Sequence, residues 1–184
     1  MQTVPIANVQ AAADYRSFTD RETFAVSLLT TLSDVLETSI GRTDAEGFVN
    51  MVAHRLARDL NEGLLAERGV PRLSLSDLAG ALVELKRKIG GGFRVAEVTG
   101  DRLVLVNSRC PFAERVHGRE ALCQMTSGVF GRLAADNAGY ARVAIPEAIA
   151  RGDGRCRVII DLAPPVDGTE AAPDDREYYG RQDD

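Results

Sequence analysis

Apolar residues recur every three or four positions through the first half of the chain, which is the period of amphipathic helices. From Asp20, a helix N-cap, the residues Phe24, Leu28, Leu32, Val35 and Leu36 fall on one face, and Gly41 ends a helix predicted over 20–40. A second helix is predicted over 43–68, with Phe48, Met51, Val52, Leu56, Leu60 and Leu64 as its stripe, stopped by Gly69 and Pro71. Ser74 or Ser76 caps a third helix carrying Leu78, Leu82, Leu85 and Ile89, which closes on three glycines, Gly90 to Gly92. Lys86, Arg87 and Lys88 fall in its last turn, where cations complement the helix dipole, so this cluster reads as structural and not as a partner-binding patch.

The period then shortens to two. Segments 93–98 and 103–106 alternate around Thr99-Gly100-Asp101-Arg102, a hairpin signal. A fourth helix is predicted over 119–137, followed by strands over 140–145 and 156–162 with Gly152-Asp153-Gly154 as the turn before the last. The order ααα-ββ-α-ββ, with strands in adjacent pairs and helices segregated, predicts an α+β fold: N-terminal helices packed on a small antiparallel sheet. Residues 1–19 read as a flexible lead-in, 20–162 as one domain, and 163–184 as a disordered acidic tail rich in Pro, Gly, Asp and Glu. Gly128 and Gly131 weaken the fourth helix by roughly 1 kcal/mol each relative to alanine, which implies close packing of a neighbouring backbone, such as a strand.

Composition narrows the function. A net charge of −5 and the lack of any basic stripe interleaved with aromatics argue against nucleic-acid binding, and Trp is absent. No apolar run approaches the roughly 18–20 residues that span a bilayer, and the N-terminus lacks a secretory signal. Three cysteines without an export signal make a disulfide framework unexpected, so the expectation is a cytoplasmic chain with free thiols.

Those thiols are the only concentrated chemistry. Cys110 follows the second strand, Cys123 lies in the fourth helix, and Cys156 starts the last strand. Their spacing matches no zinc knuckle or CxxC pair, but strand ends and a covering helix can converge at one edge of a sheet. Three thiolates with His117 as a fourth ligand suit zinc or an iron–sulfur cluster, because soft sulfur selects those metals. Three unrelated buried cysteines are the plainer alternative. A Cys–His nucleophile (Cys110 or Cys123 with His117) lacks an orienting carboxylate, although a nearby helix N-terminus would lower the Cys110 pKa. His54, on the polar side of its helix, reads as a surface residue.

The run Cys110-Pro111-Phe112, then Gly118, Cys123, Thr126, Val129-Phe130-Gly131, Gly139-Tyr140-Ala141 and Gly152-Asp153 to Cys156, resembles the methanogen output domain 1 family. That family is itself similar to V4R (4-vinyl reductase-like) sensor domains. The resemblance covers about residues 20–162 and carries over Cys110, Cys123 and Cys156. Ala113 departs from it, standing where the pattern has a glycine. The resemblance implies a non-enzymatic sensory or regulatory domain, a homodimer formed through helices, and a signalling or transcription-control partner. The expected function is a three-cysteine site that binds a metal or cluster or reads redox state. The alternative is a small-molecule-binding regulatory module with structural cysteines.

Overall fold

The chain's structure, a computed structural model, describes residues 20–165 and 175–181. Asp20 accepts a hydrogen bond from the Thr23 amide at 2.7 Å and starts α1 (Arg21–Ile40). Gly41, at φ +84°, turns the chain directly into α2 (Arg42–Arg68), which ends on Gly69 in the left-handed conformation. Ser74 caps α3 (Leu75–Lys88) by accepting from the Asp77 amide. The hairpin β1 (Phe93–Thr99) and β2 (Arg102–Asn107) follows, then α4 (Cys123–Ala138), β3 (Tyr140–Glu147) and β4 (Cys156–Asp161). The predicted order holds, and the fold is α+β.

A fifth strand, β5 (Arg176–Tyr179), was not expected. It pairs with β3 and completes an antiparallel sheet of order β1-β2-β4-β3-β5, inside the segment whose composition predicts a disordered tail. Its anchor is Tyr178, which is buried, with its hydroxyl 2.8 Å from Ser127 Oγ. The ring occupies the space that Gly131 leaves open, since a Cβ there would overlap it. The other helix glycine, Gly128, meets α2, where a Cβ would lie 2.6 Å from that of Ala53. Both glycines therefore serve close approach, but to an aromatic ring and a helix, not to a strand backbone.

Helix α4 is the axis of the core. Phe130, Leu133 and Ala134 are fully or almost fully buried and pack with Leu103 and Leu105 of β2, Val143 of β3 and Ile160 of β4. On its other side lies α2, and the close approach there admits only small residues. Hence α2 turns Ala45, Ala53 and Ala57 inward, with Asn61 tied to Asn137 at 2.8 Å.

This packing leaves most of the apolar stripes of the first two helices outside the core, while Leu60 and Leu64 at the end of the α2 stripe pack against it. Phe24, Leu28, Leu32 and Val35 of α1 and Phe48, Met51, Val52 and Leu56 of α2 point outward; Leu28 is 56% exposed and Met51 58%. The inner face of α1 is polar, with Ser27, Thr30 and Ser33 buried. Its attachment is polar too. Arg115 donates to Ser27 Oγ at 2.5 Å, and Arg119 forks onto both carboxylate oxygens of Asp34 at 2.7 Å. The greater part of each apolar stripe faces away from the core.

Candidate functional site

One end of the sheet gathers the three cysteines. In the β2–β4 ladder Asn107 pairs with Cys156, so Cys156 sits beside the strand end that leads to Cys110. The side chain of Asn107, almost fully buried, accepts from the amides of Gly92 and Arg109 at 3.0 Å each and fixes this corner. Residues 110–113 close a turn through the Ala113 amide on the Cys110 carbonyl, and a short helical turn (Ala113–Val116) follows. Cys123 is the first residue of α4, which starts there because residues 120–122 form a tighter 3₁₀ turn.

All three thiols line one cavity of about 50 Å³, walled by Phe93, Phe112, Leu122, Met125, Ile145 and Val158 among others. That space holds about four water-sized groups. Burial pushes the Cys123 thiol up to about 12, and the neighbouring Cys156 and Cys110 act the same way. Cys110 is also raised by burial, against the expectation that a helix end would lower it. Cys156 accepts a hydrogen bond from the Ile149 amide at 3.4 Å. Cys110 and Cys123 are protonated thiols at neutral pH, not activated nucleophiles.

The cavity also contains Lys86, only 4% exposed. Its Nζ donates to Thr126 Oγ1 at 2.8 Å and lies over the rings of Phe93 and Phe130, 5.6 and 5.2 Å from their centroids. Among the described residues no carboxylate pairs with it. Burial pulls its pKa down to about 8, opposed by the three cysteines. Lys86 thus departs from the dipole-complementing surface role read from the sequence. Arg87, by contrast, is exposed and pairs with Glu84. The signal was present in the spacing: Leu78 and Leu82, continued by four, land on position 86, so the lysine occupies a core position of its stripe.

His117 does not join the cysteines. It lies outside the cavity, about half-exposed, with Nε2 3.2 Å from Glu114, because the turn at Ala113–Val116 carries it to the surface. Among the described residues no group of three or more His, Cys, Asp or Glu side chains is arranged to hold a metal ion. Metal ligation there would require the thiols to give up their protons beside a buried ammonium. His54 is exposed as expected, and its ring stands edge-on to Tyr178 at 5.5 Å.

The sequence model of methanogen output domain 1 matches residues 28–161, nearly the whole span from α1 to β4. The chain belongs to the methanogen output domain 1 family. No curated protein matches it. Among solved structures, the output domain is similar to trafficking protein particle complex subunit 3 from Naegleria fowleri, a crystal structure with covalently bound palmitic acid. The TM-score is 0.53 at 12% identity, covering 78% of this chain and 95% of that one, so the two share a fold. Among the described residues no helix of the output domain is long and apolar enough to cross a membrane.

The one departure from the family pattern has a structural counterpart. Ala113 is the only non-glycine among the described residues with positive φ, at +49°. Left-handed backbone costs an L-residue roughly 1 kcal/mol, and glycine escapes that cost. Ala113→Gly is accordingly expected to stabilise the output domain by up to about 1 kcal/mol, less the added chain entropy. Urea denaturation checks this; a destabilised variant would show that the turn is not strained.

Proposed function

We propose that this output domain is a regulatory module of the cytoplasm that takes a small apolar ligand into the cavity lined by Lys86 and the three cysteines. In this reading it works as a homodimer and passes its signal to a signalling or transcription-control partner, without catalysis of its own. The observation that carries the proposal is the connection between cavity and surface. The cavity wall continues from Cys110 and Phe112 into the segment that bears Arg115 and Arg119, the two residues that hold α1. A ligand that shifts this wall changes the seat of α1.

The outward face of α1 and α2 is the proposed dimer surface. Phe24, Leu28, Leu32 and Val35 of α1 and Phe48, Met51, Val52 and Leu56 of α2 are each about half exposed. Apolar residues scattered singly are ordinary on a monomer, whereas a run of them along two adjoining helices marks an interaction face. From Thr23 to Ser33 the helix carries no charged residue, so the face can meet its own copy across a two-fold axis without like-charge repulsion.

The trafficking subunit, which shares the fold alone, is recorded with palmitic acid attached. A cavity of about 50 Å³ is far too small for a long acyl chain and supports a compact ligand here. The test is protein-detected NMR with isopropanol, acetamide and acetate. Saturable shifts at Lys86, Cys123 and Cys156 are expected, and filling the cavity with Ala150→Leu should abolish them. No saturable shift with any of the three sinks the proposal. A second reading, a metal or redox site, is favoured by the convergence of three thiols in one cavity. Stoichiometric metal in anaerobically purified protein, lost on Cys156→Ser, would select that reading instead.

A further inference from the structure

Lys86 is a fully enclosed primary amine whose only hydrogen-bond acceptor among the described residues is a neutral hydroxyl, Thr126 Oγ1 at 2.8 Å. An ammonium carries three donors. Two aromatic faces and one hydroxyl leave it under-satisfied, and a buried cation without a counter-charge is an expensive feature for a core. The groups facing it are the thiols Cys110 of the post-β2 turn, Cys123 of α4 and Cys156 of β4, with the amide of Asn107; none supplies a negative charge while protonated. The remainder of the wall is apolar. A pocket that combines apolar walls, a volume near 50 Å³ and one uncompensated cation is complementary to a small molecule with a short apolar body and one anionic end.

We infer that the ligand of this cavity is a short-chain monocarboxylic acid, its carboxylate paired with Lys86 Nζ and its apolar part held among Phe93, Leu122, Ile145 and Val158. This rests on the ligand-binding reading above and adds the chemical class. A carboxylate supplies the missing counter-charge and accepts the unused donors, in a setting where such a charge-assisted bond is strongest. Size sets the upper limit: about four water-sized groups correspond to a molecule of about four non-hydrogen atoms, the size of acetate. No covalent step is involved.

The experiment uses the full chain and isosteric probes, acetate against acetamide, titrated by calorimetry or NMR into the wild type and Lys86→Met. Methionine keeps most of the apolar stem of the lysine, is one atom shorter, and removes the ammonium with its hydrogen bond to Thr126. The expected dissociation constant for acetate is on the order of 1–10 mM, given the affinity that four heavy atoms can supply. The wild type should prefer acetate over acetamide at least tenfold, and Lys86→Met should abolish or invert that preference. Equal binding of the two probes, or a preference that persists in Lys86→Met, overturns the carboxylate assignment while leaving the pocket intact. Binding of neither probe overturns the ligand-binding reading and this inference together.

Discussion

Lys86→Met is expected to raise the stability of the folded protein by about 3 kcal/mol at pH 7. The lysine's pKa falls from 10.5 to about 8 on folding, and each unit corresponds to about 1.4 kcal/mol of disfavoured charge. The sign follows from proton binding. Between pH 8 and 10.5 the unfolded chain still holds a proton on this lysine that the folded protein has released, so wild-type stability rises with pH across that window. Below about 8 the full penalty is present. The advantage of the methionine variant should therefore be largest near neutrality and shrink towards pH 10. Cys123 works in the opposite direction, its raised pKa favouring the fold below about 9 and losing that contribution as pH climbs towards 12, but it is common to both proteins. Urea denaturation at pH 7 and pH 9.5 measures the difference. A methionine variant less stable at pH 7 would mean that the two ring faces and Thr126 more than offset the desolvation of the ammonium.

Charge on the outer helical face should have an equally large effect on assembly. Leu28→Glu combined with Met51→Glu is expected to weaken the dimer by at least a hundredfold, since each carboxylate would be buried against an apolar surface in the complex. Both positions are more than half exposed in the single chain, so the variant should keep its helical content. Sedimentation velocity at tens of micromolar would show a dimer for the wild type and a monomer for the variant. A monomeric wild type at those concentrations would remove the dimer from the proposal.

Much of this fold was legible because punctuation and period agree. Asp20, Gly41, Gly69, Ser74 and the glycines after Ile89 mark the helix ends, and the shift to alternation marks the hairpin. Which face each helix buries was not legible in the same way. Periodicity shows that a face is apolar, but not whether it meets the core or a partner, and α2 buries the small side of its cylinder because α4 comes too close for anything larger. β5 escaped notice because two adjacent tyrosines barely change the composition of a polar segment. The gathering of Cys110, Cys123 and Cys156 could be reasoned from their places at strand ends and a helix start. Lys86 could not be seen as part of that site while it was read with Arg87 and Lys88 as one basic cluster. Only the four-residue step from Leu82 distinguishes it.

The docking of Tyr178 also bears on how the protein is made. Its hydroxyl meets Asn50 of α2, 128 residues earlier, as well as Ser127 of α4. Helices α1 to α3 can form from local contacts, but the groove beside Gly131 has nothing to fill it until residue 178 has left the ribosome. A nascent chain stalled before β5 would carry β3 as an open sheet edge over an incomplete core, the kind of surface that chaperones hold and proteases cut. Translation must therefore run past Tyr178 before the domain can escape that quality control.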